Sequence, residues 1–258
     1  MMSALMSPDG SQEQLEREKQ AAARAALRWV HSGMTLGLGT GSTADYFIDL
    51  VGERVRAGSL QVEAVASSKA SEARAAAVGL PLIAPRRGLR LDLTVDGTDE
   101  VDPGLGLIKG RGGALLREKV LAQASRYFLV IADSSKRVAQ LGLCGLPVEV
   151  VPFALPWVMD QIEELGGRAV LLVDRSSPEK PAVSDQQNYL LDCRFGVIED
   201  AQSLGPRLDK IAGVVGHGLF LGYARAALVA EGSEVTVLRR NCSPSPAAHF
   251  DRLPDASL

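Results

Sequence analysis

The sequence predicts an α/β protein: a Rossmann-like, mostly parallel sheet domain with a smaller ferredoxin-like α+β domain inserted. Three observations predict it. Short apolar runs alternate with helical patterns over residues 34–132, the rhythm of a sheet covered on both faces. A glycine turn at 39–43 falls between a strand and a helix. From about residue 146 the rhythm becomes β-α-β-β-α-β, the ferredoxin-like order.

Each element follows from its own pattern. Residues 13–30 are Ala-rich with early charges and read as a helix ended near Ser32-Gly33. Residues 34–38 are a short apolar run, 44–55 a helix, 62–66 a strand, 71–78 a helix and 81–84 a strand. Leu91, Leu93 and Val95 alternate with Asp92 and Thr94, a strand ending at Asp96. A Gly-rich stretch over 104–113 leads into an apolar helix at 114–124, and 127–132 is another buried strand. The second domain reads as strand 148–151, helix 156–165, strand 169–173, a polar loop at 174–187, strand 189–195, a helix around 204–211 and strand 214–220. The expected division is therefore 13–145 plus 214–239 for the sheet domain and 146–213 for the insert, with flexible tails at 1–12 and 240–258.

Composition narrows the function classes. The 258 residues are 46% hydrophobic and 23% charged, ordinary globular usage, and aromatics at 5% leave Ala, Val and Leu to fill the core. A formal net charge of −3 argues against nucleic acid or an anionic membrane as a partner, so any anion must be held by a local site. No apolar run approaches the roughly 18 residues of a membrane span. The polar N-terminus lacks a signal-peptide core, which predicts a cytoplasmic protein. Cys144, Cys193 and Cys242 are odd in number and widely spaced, as are His31, His217 and His249; reduced thiols and no metal site are expected.

Three segments carry chemistry. In Gly39-Thr40-Gly41-Ser42-Thr43, glycines let backbone approach a ligand, the helix start offers free N–H groups, and Ser42 and Thr43 add hydroxyls. A phosphate site and a merely structural turn both fit. Asp96-Gly97-Thr98-Asp99-Glu100 closes a buried strand, at the sheet edge where open α/β sheets bind ligands. Its crowded carboxylates need donors or a cation nearby, unless the segment is only a solvated turn. Lys109-Gly110-Arg111-Gly112-Gly113 again precedes a helix, and Lys109 could oppose an oxyanion there. Glu118 has Ala114, Leu115, Leu121 and Ala122 as its helix-face neighbours. An apolar setting raises a carboxylate pKa towards a general base's range, although a structural ion pair is the plainer use. Lys136 follows another strand to the same edge, and Lys19 lies on the first helix.

Together these segments resemble ribose-5-phosphate isomerase of the A type, over roughly residues 18–237. The resemblance rests on six strings in order. They are Gly37-Leu38-Gly39-Thr40-Gly41-Ser42-Thr43-Ala44; Val95-Asp96-Gly97-Thr98-Asp99-Glu100; and Ile108-Lys109-Gly110 with Gly112-Gly113-Ala114-Leu115 and Arg117-Glu118-Lys119. Ile131-Ala132-Asp133 with Ser135-Lys136, Leu146-Pro147-Val148-Glu149-Val150, and Gly213-Val214-Val215 with Gly218-Leu219-Phe220 complete them. The resemblance implies a metal-free, cofactor-free aldose–ketose isomerase of the pentose phosphate pathway, forming dimers or tetramers. It implies Glu118 as proton acceptor, with Asp96, Asp99 and Lys109 lining the sugar site. It also implies substrate binding by Thr40, Gly41, Ser42, Thr43 and Lys136, by the Gly97-Thr98 and Gly110-Arg111-Gly112 turns, and by Lys19 near the phosphate. Arg111 stands where the family commonly has glycine and must point outward or add a cation to the loop.

Two rival readings remain at this point. The string Gly39 to Ala44 also fits the dinucleotide pattern G-x-G-x-x-A, with Glu63 about 20 residues on as a ribose-binding acid. A non-catalytic sugar-phosphate sensor would share the architecture, but no basic helix-turn-helix segment is present to serve it.

Overall fold

The structure, a computed structural model, describes residues 8–250. Helix α1 (Pro8–Leu27) precedes strand β1 (Thr35–Leu38), α2 (Ser42–Arg56), β2 (Glu63–Ala66) and α3 (Lys69–Ala77). Then come β3 (Leu91–Asp96), the short strands β4 (Glu100–Val101) and β5 (Leu107–Ile108), α4 (Leu115–Ala124) and β6 (Ser125–Asp133). The insert holds β7 (Leu146–Val150), α5 (Leu155–Glu164), β8 (Arg168–Leu171), β9 (Val173–Asp174), β10 (Ser177–Pro181), β11 (Tyr189–Arg194), α6 (Ala201–Asp209) and β12 (Val214–His217). The chain returns through β13 (Leu219–Phe220), β14 (Ala226–Glu231), β15 (Glu234–Leu238) and β16 (Ser245–Pro246).

The large sheet has the order β16-β15-β14-β6-β3-β1-β2, parallel from β2 through β14 and antiparallel beyond. Its strands serve two cores because alternate side chains face opposite ways. Leu129 and Ile131 of β6 join the core under α1 and α2, whereas Phe128, Val130 and Ala132 join Phe220 and Ala224 on the other face. The order reverses direction between β1 and β3, and such a switch point opens a crevice beyond the strands' carboxyl ends. Here β1 and β3 touch so closely that a Cβ on Gly39 would lie 2.1 Å from Asp96 Oδ1.

The insert forms a four-stranded sheet in the order β12-β7-β11-β8, the ferredoxin-like arrangement, with α5 and α6 covering its core of Val148, Val158, Leu191 and Leu208. A third, three-stranded sheet, β13-β5-β4, joins the two parts.

Several expectations are corrected. The strand expected at 81–84 is a single bridge, Leu82 to Ala64. The loop at 174–187 contains most of the β9–β10 hairpin. The run 214–220 breaks at Gly218: β12 stays in the insert's sheet, so the return comes four residues later than the boundary at 214. Gly218 marks the change because a Cβ there would sit 2.3 Å from the Lys109 carbonyl oxygen. The tail expected beyond 240 is in part built in: β16 pairs with β15, Ala247 is buried, and the Phe250 carbonyl accepts from Trp29 Nε1. The first helix begins at Pro8, inside the other expected tail; residues 1–7 and 251–258 of these tails lie outside the described residues.

Candidate active site

Three chain segments deliver three buried ionisable groups to the crevice. Strand β3 ends on Asp96, which is fully buried; β5, held by β13 through the Lys109 N–H to Gly218 carbonyl bond, positions Lys109. Helix α4 buries one stripe (Leu115, Glu118, Leu121 and Ala122) and so turns Glu118 inward with its apolar neighbours. Lys119 fixes that helix from its next position, its Nζ donating to the His217 carbonyl at 2.7 Å.

The Lys109 ammonium is the hub. Its Nζ lies 2.9 Å from Asp96 Oδ2, 3.5 Å from Glu118 Oε2 and 2.6 Å from the Gly97 carbonyl, to which it donates. Asp96 Oδ1 accepts the N–H groups of Thr40 and Gly97 at 3.1 and 2.7 Å. Glu118 has no such donors; its Oε2 is buried with only the Lys109 ion pair beside it. Burial raises the Glu118 pKa most, Lys109 pulls it back and the negative charges of Asp96 and Asp99 push it up again, to about 8 in all. Burial pulls the Lys109 ammonium down, but Asp96, Glu118 and Asp99 outweigh that and hold it above its ordinary value. Burial also raises Asp96, against the pull of Lys109 and the two N–H donors. A charged lysine beside a carboxylate that exchanges its proton near neutrality suits carbon-acid chemistry.

The remaining candidates divide. Asp99 accepts the Arg111 N–H at 3.1 Å, which ties the 97–99 turn to the 110–113 loop. Arg111 is exposed and lines, with Thr40, Gly112 and Gly113, a cleft of about 540 Å³. The far wall of that cleft comes from the insert, through Asp174, Arg175 and Asp185 among others. Gly41 precedes α2 with φ 107° and Ser42 is exposed at the helix start, while Thr43 is buried. Gly110 has φ 101°, and a Cβ there would also meet Leu115, so the position takes glycine on both counts. The hydroxyl of Thr98 is held internally, donating towards the carbonyls of Glu100 and Ile108. Lys136 ends the single helical turn after β6, on the same edge of the sheet. Lys19 is held by Glu16, 2.7 Å away on α1.

Glu100, of the same carboxylate segment, is buried as well and finds its donors in the N–H groups of Gly142 and Cys144, a structural use. Sequence reading missed other residues. Ser67, Ser68 and Ser71 surround the Thr40 hydroxyl; their string after a strand was the available signal. Asp185 accepts the Lys69 N–H at 2.8 Å and lies 3.6 Å from Arg117, linking the insert to α3 and α4. Nothing in the polar 174–187 loop announces that link.

Among the described residues, no group of three or more His, Cys, Asp or Glu is arranged to hold a metal ion, and no helix is long and apolar enough to cross a membrane. Burial pushes the Cys193 thiol up to about 12, which leaves it unreactive. Glu63 lies at the first residue of β2, beside Thr35, at the opposite end from the glycine turn, so the ribose-binding acid of the dinucleotide reading is misplaced.

A doubly wound sheet with a buried carboxyl group and a lysine at its switch point is the arrangement of an α/β enzyme with its site in the crevice beyond the strands. The chain belongs to the ribose 5-phosphate isomerase A (phosphoriboisomerase A) family, whose profile matches residues 63–234. A ribose-5-phosphate isomerase A of Nitrobacter hamburgensis is 49% identical over 227 residues, covering 86% of this chain and 97% of that protein. The solved ribose 5-phosphate isomerase A of Methanocaldococcus jannaschii superimposes with a TM-score of 0.83 at 35% identity, covering 87% of this chain and 99% of that one. A D-ribose-5-phosphate isomerase solved in complex with phospho-erythronic acid gives 0.85 at 33% identity, covering 88% and 99%.

Proposed function

We propose that this chain is the aldose–ketose isomerase that interconverts D-ribose 5-phosphate and D-ribulose 5-phosphate through an enediolate, in the non-oxidative pentose phosphate pathway. One observation carries the reading: the Glu118 carboxyl is buried, short of donors and 3.5 Å from the Lys109 ammonium. Glu118 takes the C2 proton of the opened sugar and returns it to C1. Lys109 opposes the charge that develops on the enediolate oxygens, more strongly in a dry cleft than in water. Asp96 and Asp99 hold sugar hydroxyls and assist ring opening. The turn from Thr40 to Thr43, with Lys136, grips the phosphate, and this remote binding positions the reacting carbons. Arg111 lends the exposed loop a cation at the cleft mouth. Lys19, on α1 and paired with Glu16, is assigned to the phosphate only by its match to the family's N-terminal-helix lysine.

The protein works in the cytoplasm without a cofactor, as a homodimer or homotetramer. Phe153 and Trp157, 82% and 57% exposed with ring centroids 5.6 Å apart, support an assembly in which a second copy covers them. The deciding experiment is an isomerase assay on ribose 5-phosphate with and without EDTA. Turnover that survives the chelator is expected. No turnover would end the reading, and loss of activity restored by zinc would end its metal-free form.

A further inference from the structure

Four hydroxyls meet where the β1–α2 turn touches the start of α3. Thr40 Oγ1 lies 2.7 Å from Ser67 Oγ, 2.9 Å from Ser68 Oγ and 3.1 Å from Ser71 Oγ. Ser68 Oγ is 2.9 Å from Ser71 Oγ, which is 2.6 Å from the Gly39 carbonyl oxygen. All three serines are buried.

Proton counting fixes the direction of this chain, because each hydroxyl has one proton to give. The Gly39 carbonyl can only accept, so Ser71 donates to it. Ser71 must then accept from Ser68. Ser68 accepts from Thr40 and also from the Ser71 N–H at 3.0 Å, which it caps at the start of α3. Thr40 has given its proton to Ser68, so the hydroxyl of Ser67 donates to Thr40. The 3.1 Å approach of Thr40 to Ser71 is left without a proton. The order is Ser67, Thr40, Ser68, Ser71, and last the carbonyl of Gly39.

That carbonyl belongs to the same peptide unit as the Thr40 N–H, and the N–H is held by Asp96 Oδ1 at 3.1 Å. One peptide plane is therefore gripped at both ends, by Ser71 on its oxygen and by Asp96 on its nitrogen. The plane leads directly into Gly41-Ser42-Thr43 and the start of α2. Were it to rotate, a carbonyl dipole would face any anion bound at that helix start, and Asp96 would lose a donor.

We propose that Ser67, Ser68 and Ser71 are positioning residues for the isomerase, locking the Gly39–Thr40 peptide so that the turn is preset for phosphate and Asp96 for the sugar. The Thr40 hydroxyl is a link in this chain and donates nothing to substrate. This rests on the reading that the turn holds the phosphate of ribose 5-phosphate.

The test is a double-mutant cycle on the full chain with Ser71→Ala, Thr40→Val and the pair together. The readouts are KM and kcat for ribose 5-phosphate and the inhibition constant of inorganic phosphate. Each single change is expected to raise KM and the phosphate constant by about tenfold, the factor a buried hydrogen bond of ordinary strength carries, and by more than kcat falls. The pair is expected to do little more than either change alone, because both cut one chain. Thr40→Ser, which keeps the hydroxyl, is expected to restore both constants. Full additivity, an unchanged KM in Ser71→Ala, or a Thr40→Ser variant as weak as Thr40→Val would overturn the proposal. If Ser71→Ala does not fold, Ser67→Ala cuts the open end and leaves the Ser71 bond to Gly39 in place. Its expected effect is a KM rise of only about twofold to threefold, a fraction of one hydrogen bond, and a rise as large as that of Thr40→Val would overturn the order. A wild-type chain inactive on ribose 5-phosphate removes the underlying reading; an active wild type with an indifferent serine chain removes this inference alone.

Discussion

Two glutamates in this molecule are sealed from water to nearly the same degree and are made into opposite things. Glu18 on α1 accepts four hydrogen bonds, from the N–H and hydroxyl of Ser134, the Gly232 N–H and the Gln14 amide, at 2.7 to 3.0 Å. Burial pushes its pKa up, but those donors reverse the effect and leave it below the ordinary value, a permanent anion. Glu118 on α4 has one cation at 3.5 Å and no comparable donors, and its pKa climbs to about 8. Both are shut off from solvent, but Glu118 lies deeper in the protein and has fewer donors. A buried carboxylate surrounded by donors stays ionised and ties elements together, and one deprived of them holds its proton to higher pH, as the proposed base requires.

The sharpest way to break this contrast is Glu118→Gln, which keeps the shape and removes the base. kcat is expected to fall by roughly 10²–10⁴-fold with substrate binding retained, the usual range for a positioned base. In the wild type, kcat/KM should rise with pH towards about 8, since Glu118 must be ionised to act, and that limb should vanish in the variant. Near-normal turnover would take the proton transfer away from this residue. Next in size is Lys109→Met. Removing the cation should lower kcat by about 10²–10³-fold, comparable to losing an oxyanion donor. It should also move the acid limb upward, because Lys109 pulls the Glu118 pKa down. A limb that stays in place would mean the two groups do not feel each other.

Much of this site is legible in the sequence, for physical reasons. Asp96 ends an apolar strand at the carboxyl edge of the sheet, which puts it at the crevice although the alternation sets it on the face of Asp92 and Thr94. Glu118 sits among Ala114, Leu115, Leu121 and Ala122, so its helical period points inward. Period alone does not say what a buried carboxylate meets. Glu100, four residues on from Asp96, looks the same in sequence and is capped by backbone N–H groups of residues 142 and 144. Glu18 reads as one more charge on an N-terminal helix, and its partners Ser134 and Gly232 lie more than a hundred residues away. The short strands β4 and β5 carry too few residues for a period, and β12 and β13 looked like one strand because the break at Gly218 is set by a distant carbonyl. Local pattern fixes which face is buried; long-range donors decide what burial does.

Glu18→Ala tests the other half of the contrast. It leaves the Ser134 and Gly232 N–H groups without their acceptor, which should cost about 1–3 kcal/mol in urea unfolding while kcat stays within about tenfold. The Glu18 pKa is lower in the folded chain, so its contribution is present above the unfolded value of 4.5 and fades as pH falls through the folded one. The gap between wild type and variant should therefore narrow in acid. A gap independent of pH would mean that lost packing, not the anion, carries the effect.

The smallest expected effect separates the two glutamates most directly, because it predicts opposite signs. The folded chain holds the Glu118 proton up to about 8, while the unfolded chain releases it near 4.5. Between those values the folded state binds more protons, so wild-type stability falls as pH rises through that window and levels off above it. Glu118→Gln has no proton to lose there. Its melting temperature should match the wild type near pH 4.5 and exceed it by roughly 3 °C or more at pH 8.5, since a chain of this size moves 2–4 °C per kcal/mol. An inactive variant that is the more stable one at high pH would mean that the base is kept in an environment that opposes its ionised form. A melting gap of the same size at both pH values would mean that Glu118 is solvated like any surface acid, and the contrast with Glu18 would collapse.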